Sequence, residues 1–178
     1  MVVLTYRYSK SEIERIIETI VITVDTREKK NEHIREYFAL KGIPFVNRTM
    51  RTGDYGCYIP ANEDMGIMRD LHVSGCVERK ATVDELVGNF SSKNRTRFEN
   101  ELIRASRAPF TLLIEDIEGY RKILEGNYRS QYTPQALLGS LKSFEARYGF
   151  TTFYIEPALT GNYIYHHFKY LVKELLKS

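Results

Sequence analysis

The segment Val77-Glu78-Arg79-Lys80-Ala81-Thr82-Val83-Asp84-Glu85-Leu86 (VERKATVDEL) decides how this chain is read. Its first four residues end an arm that starts at Leu71 and carries strand-type alternation; from Val83 to Phe90 the spacing becomes helical. In a strand, side chains at i and i+2 share a face. Glu78 and Lys80 therefore point together, and Arg79 points to the opposite side. Asp84, at the start of the following helix, is placed to cap it and to hold a metal-bound water. A carboxylate and an ammonium side by side, with a second carboxylate from a neighbouring turn, suit the hydrolysis of a phosphodiester. Hard oxygen ligands bind Mg²⁺ or Mn²⁺ and leave the ion some of its waters. Lysine adds a compact point charge with rotatable donors. As a bare pattern Glu-x-Lys is common, so the segment has to be read in context.

Upstream, ITVD (Ile22–Asp25) is a β-branched run read as a strand that delivers Asp25 at its end. Glu32 to Leu40 is helical and stops at Gly42. Ile43 to Met50 reads as a second strand, and the turn Gly53-Asp54 supplies the second carboxylate. Tyr55 to Ile59 and Leu71 to Lys80 read as the two arms of a hairpin, with residues 61–69 as its loop. Near the N-terminus, Ser11-x-x-Glu14 has capping-box spacing and opens a helix over about residues 10–19. Downstream come a helix from Arg95 to Ser106, a doubly covered strand FTLLIE (Phe110–Glu115), and a helix opened by Thr133-Pro134 and closed by Gly149. A strand from Phe150 to Ile155 and a last helix with Tyr163, Ile164, His167, Phe168, Leu171, Val172 and Leu175 on one face complete the pattern. Strands alternating with helices predict a single α/β domain with a mixed central sheet flanked by helices. The ligand crevice then falls at the carboxyl ends of the strands, where Asp25, Asp54 and Lys80 lie.

The chain has 178 residues, 43% apolar and 28% charged, with 26 basic against 23 acidic side chains for a net charge of +3. That permits nucleic-acid binding without demanding it. No apolar run approaches the roughly 18–20 residues of a membrane span, so no membrane partner is expected. Met1 to Leu4 run straight into Tyr6, Arg7, Ser9 and Lys10, without the apolar core of a signal peptide. The cytoplasm is the expected compartment, with the nucleoid, or the nucleus in a eukaryote, as refinements. Cys57 and Cys76 lack zinc-site spacing and are expected as reduced thiols in a core.

Three segments occur in order: VDTRE (Val24–Glu28), GDY (Gly53–Tyr55) and VERKATVDEL. Together they resemble the nuclease domain of the XPF and Hef structure-selective endonucleases, whose hallmark is GD…ERKxxxD. RFENEL (Arg97–Leu102) and LLIE (Leu112–Glu115) are similar to the family's next helix and strand. The resemblance covers roughly Val21 to Lys173. It implies a restriction-endonuclease-like fold across 1–178, with residues 1–20 as a helical extension, and Mg²⁺- or Mn²⁺-dependent cleavage of branched, flapped or forked DNA. It further implies that Asp54, Glu78 and the Arg79 carbonyl ligate metal and that Lys80 is the catalytic lysine. Asp25, Glu28 and Asp84 would complete the acidic set, with Arg27 and Arg79 as structural or phosphate partners. A homodimer through the nuclease domain follows by the same analogy. The sequence departs from the family in two places. Residues 60–70 are extra length, read either as a DNA-contacting loop or as a tolerated insertion, and no tandem helix-hairpin-helix module is expected from these 178 residues. Rival readings are a four-way-junction-resolving or end-trimming nuclease and a non-catalytic DNA-binding scaffold of the same fold.

Lys93, Arg95, Arg97, Arg104 and Arg107 cluster after the motif, and Arg97, Arg104 and Arg107 share one helical face. They read as a phosphate-tracking stripe, or else as a solvated face balanced by Glu99 and Glu101. Among 13 tyrosines and nine phenylalanines, Tyr55, Tyr128 and Tyr132 are the candidates for base stacking. His166 and His167 diverge by about 100° on a helix and cannot share one ion.

Overall fold

The structure, a computed structural model, describes residues 7–177; residues 1–6 of the expected N-terminal extension lie outside that range. The first helix, α1 (Lys10–Ile17), is capped by Ser9, whose hydroxyl accepts from the Glu12 amide while the Glu12 carboxylate accepts from the Ser9 amide. The capping box is thus set two residues earlier than Ser11-x-x-Glu14 predicts: both pairs have the required spacing, and the winning register buries Ile13, Ile16 and Ile17. Strand β1 (Val21–Val24), helix α2 (Glu32–Leu40), strand β2 (Phe45–Asn47) and strand β3 (Tyr55–Ile59) follow. The run from Leu71 to Lys80 is two strands rather than one hairpin arm, β4 (Leu71–His72) and β5 (Cys76–Lys80). Both pair with the same edge of β3, and the register slips by two residues between the Tyr58–His72 and Tyr55–Val77 pairings. An even slip keeps every side chain on its expected face, so the i, i+2 reading of Glu78 and Lys80 survives the break.

Helices α3 (Val83–Asn89) and α4 (Arg95–Ala105) lead to β6 (Phe110–Ile114). Then come α5 (Gly119–Glu125), α6 (Pro134–Tyr148), β7 (Thr151–Tyr154) and α7 (Thr160–Leu175). The seven-stranded sheet has the order β2-β1-β3-β5-β6-β7, with β4 also on β3. Only β3 breaks the parallel sense: β1 and β2 are parallel, β5, β6 and β7 are parallel, and β3 runs antiparallel to both groups and to β4. The fold is the mixed α/β sheet flanked by helices that the sequence predicts.

One face of this sheet carries Ile22, Val24, Tyr55, Cys57, Val77 and Leu113 into a core closed by α1, α2 and α7. The other carries Cys76, Leu112 and Ile114 into a second core under α3, α4, α5 and α6. Both thiols are free and buried. The extra stretch after β3 is compact: Asn62 and Ile67 exchange backbone hydrogen bonds, and Ile67 is buried in the first core. Its exposed charges are mainly acidic (Glu63, Asp64 and Asp70 beside Arg69), which fits a tolerated insertion better than a contact with phosphates. Among the described residues no helix is long and apolar enough to cross a membrane.

Candidate active site

The site is built where β3 begins. Gly53 has φ +73°, and a Cβ there would stand 2.6 Å from Cys76 Cβ, so only glycine can make this turn. The turn is stitched on both sides: the Asp54 amide donates to the Val77 carbonyl at 2.9 Å, and the Asp25 amide donates to the Asp54 carbonyl at 2.8 Å. The β3–β5 ladder stops at Tyr55–Val77, so the next amide along β5, that of Arg79, has no backbone rung. It donates instead to Asp54 Oδ2 at 2.8 Å. A side-chain carboxylate thus stands in for a strand carbonyl, which fixes Asp54 against β5. The Arg79 carbonyl opens toward Asp54 as well, because a strand residue's N–H and C=O point the same way.

Glu78 and Lys80 lie on the face of β5 that belongs to the second core, and Lys80 Nζ is ion-paired to Glu78 Oε1. Burial and the charge of Glu78 push the Asp54 carboxyl up to about 8, against the opposing pull of the Arg79 amide and Lys80. Burial also raises Glu78, with Lys80 pulling it down and Glu101 adding to the rise. Burial would lower Lys80, but Glu78 and then Asp54 outweigh it, and the ammonium is held above its ordinary value. A half-buried and a buried carboxylate facing one ammonium leave an excess of negative charge that a cation would neutralise. Among the described residues no group of three or more His, Cys, Asp or Glu side chains is placed to hold a metal ion. Two carboxylates and a backbone carbonyl fit Mg²⁺ or Mn²⁺, which keep several waters and need one or two carboxylates.

The remaining predicted acids are close in the fold but otherwise engaged. Asp25 is 1% exposed and accepts four hydrogen bonds, from the Arg27 amide, Arg27 Nε and Nη2, and the Met50 amide. Burial raises its carboxyl, but Arg27 and the Met50 amide outweigh that and hold it below its ordinary value. Asp25 therefore braces the loop before Gly53. Glu28 pairs with Arg79 Nε and Nη2, and the same guanidinium donates to Glu115 Oε2 and to the Lys30 carbonyl. Arg79 does point away from Glu78 and Lys80, into a buried ionic knot that His33 completes on Glu115 Oε1. Asp84 does not join the cluster: its Oδ1 accepts from the Arg129 amide at 2.7 Å, and Thr82, not Asp84, caps α3. Asp84 is the second residue of α3, and no sequence spacing shows a loop 45 residues later.

Of the predicted basic stripe, Arg95 turns inward to Tyr132 and Ser140 and lies over the Phe144 ring. Lys93, Arg97, Arg104 and Arg107 are exposed. The three tyrosines are occupied: Tyr55 is buried and accepts from Asn31, Tyr128 donates to the Tyr132 carbonyl, and Tyr132 accepts from Arg95. Sequence reasoning missed Glu101, which accepts from the Gly53 amide at 3.3 Å and adds negative charge beside Glu78. It also missed Glu115 and His33. Glu115 had a readable signal, as the acid closing an apolar parallel strand next to β5.

The family model of the ERCC4 domain matches residues 24–167. Among solved structures, XPF from Aeropyrum pernix is similar with a TM-score of 0.60 at 16% identity, over 87% of this chain and 66% of that one. XPF from Aeropyrum pernix in complex with DNA is similar with a TM-score of 0.58, also at 16% identity and the same coverage of 87% and 66%. The chain thus spans 66% of the length of the solved structures it matches. No curated protein sequence matches it.

Proposed function

Because the chain belongs to the ERCC4-domain family, we propose that it is a DNA endonuclease that hydrolyses phosphodiesters next to single-stranded/duplex junctions with Mg²⁺ or Mn²⁺. The observation that carries this reading is the convergence of Asp54, Glu78 and Lys80 at one strand end, with two carboxylates held short of counter-charge. Asp54, Glu78 and the Arg79 carbonyl would hold the ion. Once bound, the ion supplies an acidified water and offsets charge on the scissile phosphate. Lys80 Nζ, anchored by Glu78, donates a hydrogen bond to the attacking oxygen or to a non-bridging phosphate oxygen as charge builds there. Asp25 keeps the Gly53-Asp54 turn in place through Arg27 and Met50. Arg27, with its side chain 64% exposed, offers a cation to the flanking phosphate.

The test is cleavage of labelled flap, fork and linear duplex DNA with Mg²⁺, with Mn²⁺ and with EDTA. Wild type cuts near the junction only when the ion is present. Lys80→Ala lowers the rate by about 10²–10³-fold, and Asp54→Asn removes activity while leaving DNA binding in place. Equal cutting by wild type and either variant ends this assignment; metal-free cutting does so too. Binding without any cutting favours the scaffold reading.

A further inference from the structure

Helices cover only part of the sheet face that bears Glu78. Over β5, β6 and β7 they form the second core, which among the described residues includes none from β1 or β3; there the buried pair Thr23 and Gly56, with the Met50 side chain against Gly56, lines the bottom of an open groove. The groove has a volume of about 870 Å³. One wall is the loop from Arg48 to Thr52, and the other is the end of α4 with Arg104 and Arg107. Its floor includes Cys76, two residues before Glu78 on the same face of β5, and Thr52 leads directly into Gly53-Asp54. The groove therefore ends beside the turn that carries Asp54, while Asp54, Glu78 and Lys80 are not part of its lining.

Its charge is one-sided. Arg48, Arg51, Arg104 and Arg107 are exposed, and none makes an ion pair with a carboxylate among the described residues. Arg48 lies 5.4 Å over the Tyr58 ring and meets His72 Nε2 at 3.2 Å, and the Tyr58 and His72 rings are 5.4 Å apart. At this end, then, Arg48 and His72 line the groove and both pack against the Tyr58 ring beside it. Arginines on both rims, a floor of small residues and rings at one end match what an unpaired strand needs: phosphates tracked by cations, bases stacked on planar groups.

We propose that this groove seats single-stranded DNA leading away from the scissile phosphate, with Arg48, Arg51, Arg104 and Arg107 on its phosphates and His72, backed by Tyr58, against its bases. The inference rests on the nuclease reading above and deepens it: the junction's unpaired arm would lie in the groove. Arg48, Arg51, Tyr58 and His72 come from segments without a motif, so no pattern in the sequence points to them.

The test uses the full chain and a fluorescent deoxythymidine oligonucleotide, with anisotropy read in Ca²⁺ buffer across a salt series. Single-strand binding falls by about 0.7 in the slope of log K against log salt for each groove arginine removed. Arg51→Ala with Arg107→Ala should thus lower the slope by about 1.4 and the affinity at least tenfold. Arg121→Ala, on α5, leaves both unchanged. Wild-type slope and affinity in the double variant overturn the proposal, as does equal loss in Arg121→Ala. The two readings fail separately: a wild type that never cuts DNA defeats the nuclease assignment even if the groove binds. Normal cutting with groove variants that bind like wild type defeats the groove alone.

Discussion

At the residue scale, Asp54 is the informative group. It lies beside the buried Glu78, and its carboxyl is pushed up to about 8 by burial and by that neighbour. An unfolded aspartate titrates near 4. Between about pH 4 and about pH 8 the folded chain therefore keeps a proton that the unfolded chain has released. Each step up in pH across that window favours unfolding. Metal-free protein should thus melt at lower temperature as pH rises from about 4 to about 8, with Glu78 shifted in the same direction. Saturating Mn²⁺ competes with the proton and should flatten or reverse the slope. Asp54→Asn keeps an acceptor for the Arg79 amide but removes the charge, so it should raise the metal-free Tm by a few degrees (~2–4 °C per kcal/mol at this chain length). Differential scanning fluorimetry across pH, with and without Mn²⁺, reads all three. A wild-type Tm that climbs through the window in EDTA would contradict this account.

At the scale of elements, the Gly53 turn and β5 form one unit. Gly53→Ala needs a left-handed backbone at φ +73° and a Cβ placed on Cys76. It should cost about 1–3 kcal/mol in backbone strain and about as much again in overpacking. Urea denaturation should show a lower midpoint with little change in m-value, and cutting should drop because Asp54 moves with the turn; an unchanged midpoint would show that the turn is not fixed this way. The elements were largely legible beforehand. Glu78 and Lys80 alternating with Arg79, Gly42 ending α2, and Thr133-Pro134 opening α6 are local rules acting within a few residues, and the structure keeps them. Helix α5 is not legible in the sequence, because its seven residues follow no long apolar period and are anchored by Tyr154, whose ring lies against Gly119. The roles of Asp25, Asp84 and Arg95 were not legible either. Each depends on a partner supplied by another segment: Met50 for Asp25, Arg129 for Asp84, Ser140 for Arg95. Charge and spacing place such residues near a site but do not say which neighbour takes their hydrogen bonds.

At the scale of the whole molecule, two cores share one sheet as a common wall. Cys76 and Val77 are consecutive residues of β5, yet Cys76 belongs to one core and Val77 to the other. Strand β6 divides the same way, with Leu112 and Ile114 on one side and Leu113 on the other. Neither core can lose its packing without stripping one face from strands that the other core needs. The molecule should therefore melt as a single cooperative unit despite its two apolar clusters. Calorimetry should give one endotherm whose van't Hoff enthalpy equals the calorimetric one, and substitutions as distant as Phe38→Leu and Phe144→Leu should shift that same peak. Two resolved peaks would mean that the shared wall transmits nothing between its sides.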